Sequence, residues 1–143
     1  MVQTPSYHTY YNKTYRIDST PEGGLTGHLL DLETGEFKEN NRLIDTVLFN
    51  RGGEIDSVDE AEFMDVTEQE RAHYLRGDGP IFALYETIKG IYDQAKSEGR
   101  RVTKDELALI KSLRRRTFQL WEEEFARRAA GEPPTFHVAS TLG

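Results

Sequence analysis

The chain has 143 residues, with 18 Lys and Arg against 25 Asp and Glu and a formal net charge of −7. It has no cysteine, which excludes disulfide frameworks, thiolate metal sites and thiol catalysis. The length predicts one domain. No apolar run approaches the ~18 residues of a membrane span, and the first residues lack the basic-then-apolar pattern of a secretory signal, so a cytoplasmic protein is expected.

Residues 1–56 read as mainly β structure. Tyr7, Thr9 and Tyr11 alternate with His8 and Tyr10, and Tyr15 and Ile17 resume the alternation after Asn12-Lys13. Aromatics and Thr suit a pleated surface, and a two-residue polar break suits a tight hairpin. The cluster from Thr20 to Gly24 is a turn. A strand over 25–32 follows, with Leu on both faces, as in a strand covered on both sides. Thr34-Gly35 closes a second hairpin into Glu36-Phe37-Lys38. Residues 42–49 fit either period, and their β-branched content favours a strand ended by Gly52-Gly53.

Helix starts then replace turns. Ser57 with Glu60, Thr67 with Glu70 and Thr103 with Glu106 each match the capping box. The first two predict two short helices, near 58–64 and 68–75, within the stretch 57–76. Asp78-Gly79-Pro80 opens a longer helix. Its residues Ile81, Leu84, Tyr85, Ile88, Tyr92 and Ala95 form one apolar stripe. Gly99 ends it. A second long helix, 104–130, is joined by a short connection, so 80–131 predicts an antiparallel helical hairpin. Residues 132–143 show no clear period and read as a mobile tail that Phe136 and Val138 could dock. The expected fold class is therefore α+β: N-terminal antiparallel β-hairpins in a small sheet, two short helices, then a long C-terminal helical hairpin.

Catalytic signatures are missing. The glycines at 23–27 lack the Lys and the context of a phosphate loop, and no nucleophile elbow occurs. His8, His28, His73 and His137 are scattered, with no metal-ligand spacing. The acidic run Asp56, Asp59, Glu60, Glu62, Asp65 lacks the register of a calcium loop. No catalytic residue, metal ligand or cofactor is assigned. An enzyme with an unfamiliar site, built on His28 or His73 and nearby carboxylates, is kept as an alternative.

The second long helix carries the functional expectation. On a wheel at about 100° per residue its apolar side spreads over about 200°, wider than one neighbour requires; the excess serves either a second partner or the chain's own sheet and short helices. Arg114, Thr117, Trp121, Glu124 and Arg128 fall on or beside that broad face. Charged groups on a desolvated face need partners, and the candidates are Glu124 with Arg128, and Glu86 or Asp93 across the hairpin. Arg beside Trp and Phe is also typical of interface hot spots. These five residues are therefore the expected protein interface of a non-enzymatic interaction or adaptor domain, either a homodimer or docked to a larger protein.

Charge supports a second expectation. Residues 1–79 carry 7 basic and 16 acidic side chains, whereas 80–143 carry 11 and 9. Lys104, Lys111 and Arg115 form a helical stripe, with Arg100 and Arg101 at its N-terminal end, that could bind an anion or neutralise phosphates. Nucleic-acid binding is the alternative this raises, against an overall acidic chain. The bland alternative is pairing with the protein's own acidic half.

Overall fold

The computed structural model describes residues 3–49 and 53–142. Strands β1 (Ser6–Tyr10), β2 (Lys13–Ser19), β3 (Leu25–Leu30) and β4 (Phe37–Glu39) form consecutive antiparallel hairpins. A fifth strand, β5 (Ile55–Val58), pairs with β1, giving the order β4-β3-β2-β1-β5. The first turn falls at Tyr11-Asn12, one residue before the polar break, with Tyr11 at φ 57°.

The sheet is covered on both faces, one apolar and the other mixing Tyr7, Leu30 and Phe37 with Thr14 and Arg16. On one side Tyr15, Ile17 and Ile55 pack with Val47. Val47 belongs to helix α1 (Ile44–Leu48), which continues a 3-10 turn over Asn41–Leu43. The strand expected at 42–49 is thus a helix. Its spacing Leu43/Val47 and Ile44/Leu48 is helical, and that periodicity outweighs β-branching once the segment lies across a sheet rather than in it. Gly52, taken as the stop of that strand, lies outside the described residues.

On the other face lies α2 (Glu60–Tyr74), one continuous helix where two short ones were expected. Ser57 does not cap it. It is in β5, and Asp59 takes the cap by accepting from the Glu62 amide at 2.8 Å. Thr67 starts no helix either. Its hydroxyl donates to the Phe63 carbonyl at 2.7 Å and meets the Thr14 hydroxyl at 2.7 Å, both threonines being fully buried. The Ser/Thr-x-x-Glu pattern arose here from a core contact to the sheet.

A short strand β6 (Leu75–Gly77) leads into α3 (Pro80–Ser97), and α4 (Lys104–Ala129) follows as the second arm of the hairpin. The third capping box is real: the Thr103 side chain accepts from the Glu106 amide, and Glu106 accepts from the Thr103 amide at 2.8 Å. Helices α2 and α3 each pack against α4. The C-terminal segment is ordered where mobility was expected. Phe136 is buried against Phe82 and Trp121, and β7 (Val138–Ser140) pairs antiparallel with β6. The architecture is α+β, with a five-stranded antiparallel sheet and long C-terminal helices. Among the described residues no helix is long and apolar enough to cross a membrane.

Candidate functional site

The centre of the molecule is a charged network in a buried interior. Arg71 of α2 is completely buried, as are Glu68 and Trp121. Its Nε and Nη2 donate to the carbonyl oxygen of Gly35 at 3.0 and 2.6 Å, and its Nη1 donates to Glu68 Oε2 at 2.8 Å. Glu68 Oε1 accepts from the Tyr85 hydroxyl at 2.7 Å, and the Tyr85 hydroxyl oxygen in turn accepts from Trp121 Nε1 at 2.8 Å. The guanidinium also lies 4.9 Å from the Trp121 ring and 5.3 Å from that of Phe37. Desolvated contacts of this kind contribute about 2 kcal/mol each. Burial, followed by the Glu68 charge, holds the Tyr85 hydroxyl well above its ordinary range.

This network corrects the expected interface. Thr117, Trp121 and Glu124 are fully enclosed by their own chain. The broad apolar side of α4 serves two helices of the same molecule: Phe118 meets Phe63 of α2, and Trp121 meets Phe82 of α3 and Phe136. Leu109 is the large apolar residue of α4 left exposed. Arg114 pairs with Asp65 of α2 at 3.1 Å rather than with Glu86 or Asp93, and its guanidinium sits 6.0 Å from the Tyr92 ring.

The Glu124–Arg128 pair is present, at 2.8 Å. Glu124 also accepts from Arg127 Nη2 at 2.9 Å and from the amide and hydroxyl of Thr135 at 2.9 and 2.5 Å. Burial alone would raise this carboxyl, but the Thr135 and arginine bonds outweigh it and bring the group down to about 2. The five predicted residues therefore build the interior and fasten the C-terminal segment; they do not form one exposed patch.

The expected anion stripe is not continuous. Arg100 is bound to Glu98 at 2.8 Å and to Glu106 at 2.8 Å. Arg101 and Lys104 are exposed. Lys111 and Arg115 line a cleft of about 450 Å³ whose other wall carries Asp59, Glu62 and Asp65 of the α2 region. The protein's acidic helix thus faces its basic one.

A larger concavity lies between α2 and α3. Because both helices pack on α4, a valley of about 790 Å³ opens between them, with Ala72, Leu75, Phe82, Ile88 and Tyr92 among its lining residues. Its charged lining is mixed, with Arg76, Lys89 and Arg114 beside Asp78 and Glu86. Several of these are engaged. Arg76 Nη1 caps the end of α2 by donating to the Ala72, His73 and Leu75 carbonyls at 3.0, 3.2 and 2.7 Å. Lys89 pairs with Asp93 at 2.6 Å, and Asp78 accepts from the His137 amide at 2.9 Å. Glu68 and Tyr85 reach the valley, yet their polar atoms are already bonded to Arg71, Trp121 and each other. The valley therefore offers a visitor apolar contact at its base, with Glu86 and His73 also among its lining residues.

Sequence reasoning missed Arg71, Glu68 and Gly35, because it broke α2 at Thr67 by starting a second helix there, and so never placed Phe63, Thr67 and Arg71 on one face of α2. Comparison with family models, with curated proteins and with solved structures gives no significant match.

Proposed function

We propose that the protein is an interaction domain that receives an amphipathic helix of a protein partner in the valley between α2 and α3. The carrying observation is the valley itself, about 790 Å³ in volume and lined by Ala72, Leu75, Phe82, Ile88 and Tyr92. Two helices packed on a third leave the position that a fourth would fill in a bundle. An apolar valley at that position suits a helix that lays its own apolar stripe into it. A small polar substrate is a poorer fit, since the polar groups at the base are engaged with one another. One wall of the valley is the first arm of the helical hairpin, so the hairpin contributes through α3 rather than through Trp121.

A photoreactive phenylalanine at Ala83, which lines the valley, tests this. The same group at the exposed Leu109 is the control. Irradiation in native lysate should yield a protein adduct from position 83 that is lost when Tyr92→Glu is added. Adducts formed equally from position 109, or unaffected by Tyr92→Glu, would show that the valley is not the docking surface.

A further inference from the structure

We infer that the C-terminal segment is an exchangeable arm, and that the socket it fills also accepts the same arm from a second copy of this chain. This does not depend on the valley.

The socket is built from β6, α3 and α4. Phe136 enters it between Phe82 and Trp121, with ring centroids 6.0 and 5.4 Å away, and Arg128 lies 5.4 Å from its ring. Thr135 fastens the arm to Glu124. Beyond Phe136, β7 adds to β6 with Leu75 opposite Ser140 and Gly77 opposite Val138. The Thr141 amide then donates to the Tyr74 carbonyl at 2.8 Å, and the Ser140 hydroxyl to the Leu32 carbonyl at 3.0 Å. The arm thus binds as an extended peptide: one aromatic anchor, one hydroxyl on a buried carboxylate, and a short strand addition.

The connection to α4 is built as a hinge. Ala129 ends the helix, Gly131 reverses the chain at φ 95°, and Pro133 and Pro134 follow without amide hydrogens. Residues 129–135 are exposed. Moving Gly131 out of its positive φ turns the arm outward, and two consecutive prolines keep it extended once it has turned. An outward arm leaves Trp121 and Phe82 uncovered, so the socket must recapture an arm. Every contact described above can be remade with the arm of another copy, because exchange alters the hinge alone. The chain's own arm competes at an effective concentration on the order of mM, so the exchanged form belongs to concentrated protein. It is a closed dimer with two arms in two sockets.

The absence of native cysteine makes the test clean. Arg76 and Ala139 are exposed cross-strand partners. The full-length single variants Arg76→Cys and Ala139→Cys are mixed at high concentration, incubated and oxidised. The heterodimer is quantified by mass against a mixture of Ala108→Cys with Ala139→Cys. The double variant Arg76→Cys/Ala139→Cys, at low concentration, should close internally as a monomer. The 76/139 mixture should give severalfold more covalent heterodimer than the control mixture, in an amount that rises with concentration. A 76/139 yield no higher than the control, with the double variant closing internally, overturns exchange. A double variant that cannot close overturns the strand pairing on which it rests.

Discussion

Arg71 donates two hydrogen bonds to the carbonyl of Gly35, a residue 36 positions earlier in the turn between β3 and β4. The contact ties the sheet to the helical layer at the one place where a side chain on the turn could not be accommodated. Gly35 is buried at φ 84°, and a Cβ there would lie 3.0 Å from Leu75 Cδ1 and 3.1 Å from the Trp121 ring. Gly35→Ala should therefore cost about 1–2 kcal/mol for the left-handed backbone and a further 1–3 kcal/mol or so for overpacking around an enclosed indole. Urea unfolding checks this through a lowered midpoint at an unchanged slope.

The buried pair behaves asymmetrically. Arg71→Met strips the fully buried Glu68 of its guanidinium partner, and a loss of about 3–5 kcal/mol is expected. Adding Glu68→Leu should recover part of that, because an apolar replacement of both partners removes the stranded carboxyl. Recovery stays incomplete, since the Gly35 carbonyl still loses Arg71 and the Tyr85 hydroxyl still loses its Glu68 acceptor. Equal losses in the single and the double variant, measured by the same unfolding assay, would contradict this account.

The capping boxes show how far local pattern reached. Thr103→Ala should destabilise by about 1 kcal/mol, because the hydroxyl accepts from the Glu106 amide. Ser57→Ala, at the look-alike position in β5, should cost less than Thr103→Ala. Thermal unfolding of the two variants side by side distinguishes them.

The hairpins, the helical hairpin and the Thr103 start were legible because each rests on neighbours in sequence: alternation, turn residues, a cap and its partner three residues on. The Glu124–Arg128 pair was legible for the same reason. What escaped depends on distant contacts. Thr67 looks like a cap until Thr14 of β2 is placed against it. The width of the apolar side of α4 was read correctly as serving two surfaces, but the wheel does not say whose. The second surface is the same chain's α2, together with Phe136 from a segment that has no periodicity of its own. Arg71 and Gly35 meet only after the sheet, α2 and α4 are stacked.

Acid should release the C-terminal arm before it unfolds the body. The Glu124 carboxyl is brought from 4.5 to about 2 in the folded protein. A depressed carboxyl stabilises the fold above its unfolded value and loses that contribution as pH falls through its folded one. The Thr135 anchor should thus hold at pH 5 and above and weaken progressively between about pH 4.5 and 2. Amide exchange at Thr135 and the fluorescence of Trp121, which Phe136 abuts, report this directly. Glu124→Gln keeps the shape but removes the charge that the arginines and Thr135 share, so it should loosen the arm at neutral pH and flatten its acid dependence in that window. An unchanged acid slope in Glu124→Gln would assign the transition to other carboxyls, among them Glu106. Bonds from Arg100 and Thr103 also hold Glu106 at about 2, but it lies at the opposite end of α4.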